Sequence, residues 1–276
     1  MSASNASIRD VLYEAPGPKA KKRIAVATAV SLVVLAVLLV VVIRQFYITG
    51  QLDVKYWSIF TRYTTWRFIG QGLLGTVRVA LTAGVCTFAM GMLLMMGRIS
   101  NSRVLRAACT VLIELSRGIP TLLFVYFFFL LAPQFGLKLP AFWKITLPVA
   151  ISATGTVAET LRSGVNAVPK GQREAAVSLG MRGGSVFFKI VFPQGFRFVI
   201  PALISELVIV LKDTTFAYVV NYADLMQNAK VLISNYDALL SVYLVAAIIY
   251  IVINYLLNRL SVAVATRTKT PAAAAK

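Results

Sequence analysis

The chain has 276 residues, 58% of them hydrophobic and 14% charged, with a mean hydropathy of +0.78; this is too apolar for an ordinary soluble globule and points to membrane-spanning helices. Its 28 Lys and Arg against 10 Asp and Glu give a net charge of +18, but the cations cluster at the ends of apolar runs, a pattern that sets membrane topology and argues against a nucleic-acid binder. There is no histidine, and Cys86 and Cys109 fall inside apolar runs without CxxC spacing, so neither a metal site nor a disulfide framework is expected.

Residues 1–23 read as a cytoplasmic tail, with Ser2, Ser4, Pro16, Gly17 and Pro18 followed by Lys19, Lys21, Lys22 and Arg23. That basic cluster places the N-terminus in the cytoplasm by the positive-inside rule. The apolar run 24–43 is long for a signal peptide, and RQFYITGQ after it lacks a small-x-small cleavage pattern, so it reads as a retained anchor. Residues 44–69 carry Trp57, Phe60, Tyr63, Trp66 and Phe68 among Lys55, Arg62 and Arg67, the composition of an outer interfacial segment. Further apolar runs at 70–97, 108–134, 145–161, 198–220 and 238–258 bring the expected total to six transmembrane helices. Prolines near 119 and at 201 can kink or delay their helices. Between the last two spans, Asn221 to Asp237 reads as a short outer loop with a helical turn. Residues 261–276 form a second cytoplasmic tail ending in TPAAAAK.

A charged side chain at mid-bilayer costs roughly 2.5–3.5 kcal/mol on insertion scales, so each one needs a partner or a wet cavity. Glu114 and Arg117 lie three apart on one face of their helix, before Ile119 and Pro120. Glu159 and Arg162 repeat that spacing after Ser152, Gly155 and Ala158, small residues that recur every three positions and let helices approach closely. Arg78 has no acid within one turn; it either snorkels outward or presents a cation to a cavity. Glu206 lacks a local partner, and Lys212 with Asp213 ends the same run. Arg78, Glu159, Glu206, Lys212 and Asp213 are therefore the candidate lining of an aqueous pathway.

Gly171 to Gln194, GQREAAVSLGMRGGSVFFKIVFPQ, is a polar, helix-forming island between apolar segments. Glu174, Ala175 and Ala176 favour a short helix with an acid near its start, and Gly180 supplies a stop. A second helix is expected after Gly183, Gly184 and Ser185, with Pro193 marking its end. The six-span topology puts this island in the cytosol. The chain has no Walker-type Gly-x-x-x-x-Gly-Lys, and the dipeptide Gly-Lys does not occur, so ATP is not cradled here by that route.

Glu174, Ala175 and Ala176, then Gly180, Pro193 and Gln194, resemble the EAA loop of bacterial ABC importer permeases. RGIP at 117–120 resembles the RGTP segment of the polar amino acid branch, with Ile119 in place of a small polar residue. AETLRSG resembles AE-x-x-RGG, with Ser163 at the first glycine, and LKDTTF resembles KDTSL. VLYEAPGP, the basic cluster and the extra first span look like the glutamate uptake permeases of actinobacteria. The resemblance implies an all-α integral membrane protein, with a type I permease core of five helices over residues 70–260, a coupling loop at about 165–197 and one added N-terminal helix at 24–43. It also implies a bacterial cytoplasmic membrane location and the import of a polar amino acid such as glutamate. Gly171, Gln172, Glu174, Ala175, Ala176, Leu179 and Gly180 would dock on a cytosolic ATPase, with the two alanines small enough for close approach. The implied partners are a second permease subunit, two ATPase subunits that carry ATP and Mg, and an extracytoplasmic binding protein; the chain itself would hold no cofactor and catalyse nothing. Two other readings remain open on the residues alone. In an ion-coupled secondary transporter, Glu159, Glu206 and Asp213 would bind the driving ion; in a membrane scaffold, the loop would bind a protein and nothing would cross.

Overall fold

The computed structural model describes residues 17–267; the start of the N-terminal tail through Pro16, Lys269 and the TPAAAAK end lie outside the described residues. The chain divides into two compact units, Met1–Val54 and Lys55–Lys276. The first contains α1, Pro18–Ile48, which is longer than the 24–43 run that announced it. Proline at its first turn is already set for helix and lacks only an N–H that has no intrahelical partner there. No residue of α1 is buried.

The second unit is a helical bundle. Its helices are α2 (Tyr63–Arg98), α3 (Arg103–Gly118), α4 (Thr121–Phe135), α5 (Ala141–Ala167), α6 (Lys170–Ser178), α7 (Gly183–Val220), α8 (Leu225–Tyr236) and α9 (Leu239–Arg267). Before α2 come a short helix, Val54–Trp57, and a 3₁₀ turn, Ser58–Thr61. The aromatic residues expected at an interface pack here on each other: the Trp66 indole donates to the Phe60 carbonyl at 2.7 Å, and the two rings are 5.9 Å apart.

α2, α5 and α7 form the centre. One apolar core lies among α2, α4, α5 and α7, around Val79, Val125, Ile145, Val149 and Val210. A second joins α2, α3, α5, α6 and α7 around Met95, Ile113, Leu161, Val165 and Val191. A third joins α2 to α8 and α9 through Ile69, Leu225, Leu232 and Val242. α5 carries the small-residue face read from the sequence: Ala158 is wholly buried, and a Cβ on Gly155 would collide with Ser116 and the Ile113 carbonyl of α3. Where α5 crosses α7, Gly164 and Gly195 meet backbone to backbone, and a Cβ on Gly195 would lie 2.7 Å from the Gly164 carbonyl oxygen.

The kink expected near 119 is present: α3 and α4 are bent by 98° at Ile119 and Pro120, because proline has no N–H to give and forces Ile119 into extended backbone (φ −92°, ψ 125°). Two other expectations are corrected. Pro193 does not end a helix. A π-turn at Phe187–Val191 widens the helix just ahead of it, and Pro193 falls in the first turn of the next α-helical stretch, so α7 continues to Val220. The outer loop after α7 is a three-turn helix, α8, because Asp224 caps it by accepting the Gln227 amide at 2.7 Å and Leu225, Ala229 and Leu232 supply a buried face.

Among the described residues, four helices are long and apolar enough to cross a membrane, namely α1, α2, α7 and α9, and the bent pair α3–α4 would make a fifth. α5 is long enough at 27 residues, but Lys144, Glu159, Arg162 and its many threonines and serines leave it less apolar, so the count of six is not reached on this measure. The protein is all-helical among its described residues.

The α5–α7 crossing is tested by Gly195→Leu. Overpacking there should cost about 1–3 kcal/mol and lower the thermal midpoint of the detergent-solubilised protein. Gly171→Ala, where a Cβ meets nothing within 4 Å, should leave the midpoint close to that of the parent.

Candidate functional site: the α5–α7 loop and the charges behind it

The chain leaves α5 at Ala167, passes through Val168 and Pro169, and turns at once into α6. Pro169 stands at the cap, where a missing N–H has no consequence. At the other end Gly180 adopts φ +78°, and the chain closes with two bonds: Gly180 N–H to the Val177 carbonyl at 2.9 Å and Met181 N–H to the Ala176 carbonyl at 3.1 Å. This pair of bonds is a Schellman turn, and it needs a residue that tolerates the left-handed region. The Gln194 amide reaches back to Gln172 at 3.4 Å, tying the start of α6 to α7.

α6 has two faces. Ala176 is 4% exposed and packs in the core of α5 and α7, whereas Glu174 and Ala175 are exposed, Val177 is 57% exposed and Leu179 is 83% exposed. Of the two alanines expected to allow close approach to an ATPase, only Ala175 is exposed; the small size of Ala176 serves the helix's seat on its own chain. Gly171, Gln172 and Gly180 are exposed as well. Cavities of about 280 and 380 Å³ flank the helix, and Arg173 lines both.

A three-charge cluster joins α5 to the end of α2. Glu159 accepts Arg162 Nη2 at 2.7 Å and Nε at 3.0 Å, and it also pairs with Arg98 Nη1, at the last residue of α2. Its side chain is one-fifth exposed. Two cations on one half-buried carboxylate make a clamp between α2 and α5, so Glu159 braces the bundle. Glu114 and Arg117 form the expected pair on α3, but at 3.9 Å and largely exposed, which makes it a weak one.

The remaining pathway candidates do not converge on one point. Asp213 Oδ2 accepts the Thr121 hydroxyl at 2.8 Å, and Thr121 lies 2.8 Å from the Ser152 hydroxyl, so α7, α4 and α5 meet at a small polar junction. Glu206 lines a separate cavity of about 300 Å³ between α2, α5 and α7, with Thr87, Phe88, Val157 and Leu203 among its walls. Lys212 and Arg78 are exposed, and Arg78 acts electrostatically on Tyr222. No group of metal-ligating side chains occurs among the described residues.

Sequence reasoning missed the Arg98–Glu159 link, since the partners are 61 residues apart. It also missed the buried polar group around Asp224, Asn228 and Thr76. The Asp-x-x-Gln pattern at 224–227 was the available signal for the latter, being a helix-start pattern.

Residues 87–270 match the family described as the inner membrane component of binding-protein-dependent transport systems. The chain is 36% identical over 216 residues to the glutamate transport system permease protein GluD of Corynebacterium glutamicum, covering 77% of this chain and 79% of that protein. It is 31% identical to the probable glutamine ABC transporter permease protein GlnP of Bacillus subtilis, covering 69% and 89%. Among solved structures, an amino acid ABC transporter crystallised with histidines superposes with a TM-score of 0.71 at 29% identity, over 77% of this chain and 98% of that one. The inward-facing MetNI methionine transporter shares the fold at 17% identity, with a TM-score of 0.59 over 74% of this chain and 99% of that one.

The clamp separates two otherwise similar substitutions. Glu159→Gln should destabilise the protein by roughly 1.5–3 kcal/mol, the range for hydrogen bonds to charged groups, and Glu114→Gln by less than about 1 kcal/mol. Thermal unfolding of the two variants in the same detergent checks the order.

Proposed function

Because the chain belongs to the family of inner membrane components of binding-protein-dependent transport systems, we propose that it is the permease subunit of an ATP-driven amino acid importer. In this reading α6 is the coupling helix. The carrying observation is its construction: a nine-residue helix held at Ala176, closed by the Schellman turn at Gly180, and presenting Glu174, Ala175, Val177 and Leu179 outward. An exposed apolar edge beside an acid, on a helix rigidly based on α5 and α7, suits a cleft in a cytosolic ATPase.

ATP and Mg act on that separate ATPase. Two ATPases closing on ATP would draw together the α6 helices of two permease subunits, and the rigid base would carry the displacement into α5 and α7. The Arg98–Glu159–Arg162 clamp would pass part of it to α2. The second permease subunit is a copy or a homologue, and an extracytoplasmic binding protein delivers the substrate. Both termini lie on the cytoplasmic side, and α1 is a span added to the five-helix core.

The substrate is a polar amino acid, with glutamate favoured by the 36% identity to a glutamate permease. Among the pathway groups, Asp213 with Thr121 and Ser152, Glu206 in its cavity, and the exposed Arg78 and Lys212 supply the polar contacts that a zwitterion needs at membrane depth.

Glu174→Lys reverses the charge on the outward face of α6 without touching its base. Reconstituted with its ATPase and binding protein, the variant should lose about tenfold or more of substrate-stimulated ATP hydrolysis, an effect of about 1.4 kcal/mol on docking, with unchanged thermal stability. Uptake equal to that of the parent would remove α6 from coupling. Failure of any cytosolic ATPase to co-purify with the intact chain under gentle conditions would overturn the importer reading itself.

A further inference from the structure

The N-terminus of α8 is built on a carboxyl group that no ion pair reaches among the described residues. Asp224 is wholly buried. Its Oδ1 accepts the Gln227 amide at 2.7 Å, while Oδ2 is buried without a hydrogen-bond partner. The walls around it leave little room. A Cβ on Gly72 would lie 2.7 Å from the Asp224 carbonyl oxygen and 2.8 Å from Asn228 Nδ2, and one on Gly75 would collide with the Ala223 carbonyl. Thr76 Oγ1 takes the Leu225 amide at 3.0 Å, and Asn228 Nδ2 donates to the Phe68 carbonyl at 2.7 Å. α9 contributes Tyr250, whose buried hydroxyl lies near Thr76 and within electrostatic reach of Asp224.

Among the described residues no cation pairs with Asp224. α2 faces it with Gly72, Gly75 and Thr76, none of which titrates. α9 faces it with Tyr250, and the connecting segment with Tyr222. Tyr218, at the end of α7, is engaged by Lys230 of α8 at 4.3 Å from its ring, and Arg78 of α2 acts on Tyr222. Backbone amides at the start of α8 favour the charged carboxylate, but burial outweighs them and pushes the carboxyl up to about 7. The segment lies between the α7 and α9 spans.

We propose that Asp224 is a proton-binding site that locks α8 to α2 and α9: the neutral carboxyl keeps the start of α8 seated against Gly72, Gly75 and Thr76, and ionisation loosens it. The sign follows from linkage. An unseated, hydrated aspartate loses its proton near about 3.9, whereas the seated one holds it to about 7. Between those values the unseated form releases a proton that the seated form retains, so seating weakens by up to about tenfold per pH unit and levels off above about pH 7. Acid tightens α8 and neutral pH releases it, on the end of α2 opposite the α5–α7 loop.

The test needs no transport assay and therefore does not stand or fall with the importer reading. Hydrogen exchange of the α8 amides is measured on the full chain in lipid nanodiscs between about pH 5 and pH 8, after correction for intrinsic exchange. Protection should fall by up to about tenfold per unit to near pH 7 and then level off. Asp224→Asn keeps the cap but cannot ionise, so its protection should be pH-independent. A flat profile in the parent, or a profile in the variant that follows the parent's, overturns the proposal. Protection at pH 8 restored by sodium chloride also overturns it, by naming a bound cation instead of a proton. Infrared titration of the parent gives an independent reading where the variant fails to fold: a protonated-carboxyl band should vanish near about pH 7, and its loss below about pH 5 would sink the idea.

Discussion

The contact on which the α5–α7 loop depends is the backbone-to-backbone crossing at Gly164 and Gly195. Without side chains at that point the two helices close to within van der Waals contact of their main chains, and the segment between them has no freedom to splay. α6 is then positioned by its neighbours on both sides: Pro169 starts it one residue after α5 has packed Val168 into the core, and Gln194 ties it back to the start of α7. The position of Ala176 follows from the same contact. A larger residue on that face would push α6 off the surface on which Val186 and Val191 pack, so the small side chain belongs to the base of the helix, and the groups left facing outward are Glu174, Ala175, Val177 and Leu179.

Interior charge is handled in three ways along the bundle. At the loop end, Glu159 is shared by two arginines from different helices, so the carboxylate is fully compensated and a surplus positive charge stays near the exposed edge. At the level of the α3–α4 bend, Asp213 is met by the Thr121 hydroxyl, itself bonded to Ser152, which stabilises a carboxylate without cancelling its charge. At Asp224, among the described residues, neither an ion pair nor a hydrogen bond reaches Oδ2, and burial favours the neutral acid. The prolines follow a comparable logic. Pro120 breaks its helix outright, whereas Pro201 sits within α7, where its carbonyl accepts the Ser261 hydroxyl of α9 at 2.8 Å and the Ser205 hydroxyl at 3.1 Å. The Ser261 bond ties α9 to α7 beside the proline, while the carbonyl that Pro201 leaves without its intrahelical donor is that of Arg197.

Much of this was legible in the sequence, and what escaped it did so for a physical reason. The α6 helix and its stop at Gly180 are local events, set by propensity and by one left-handed residue, and they stand where the GQREAAVSLG pattern puts them. The tight packing of α5 is also local, because Gly155 and Ala158 fall on one helical face. Pro193 was misread because proline signals the loss of one donor and does not say what the backbone does about it; a π-turn absorbed the loss. α8 was reduced to a turn because its polar face dominates the composition, while its cap at Asp224 and its apolar residues at 225, 229 and 232 specify a helix. The second partner of Glu159 lay beyond any local pattern, since Arg98 comes from another helix.

The clamp and the α8 seat sit towards opposite ends of the same helix, and that arrangement constrains how α2 can move. Arg98 fixes the final residue of α2 to α5 through a fully charged contact. Nearer its start, Gly72, Gly75 and Thr76 hold α2 against α8 through main-chain approach and neutral hydrogen bonds. A charged contact resists separation over a longer distance than a van der Waals one, because Coulomb attraction falls off slowly where water is scarce and dispersion is lost within an ångström. α2 is therefore more firmly tethered at the Arg98 end and more easily unseated at the α8 end. A rigid α2 pivoting about Arg98 would turn a small displacement at α6 into a larger one at α8, in the region where the bundle relies on close fit instead of charge.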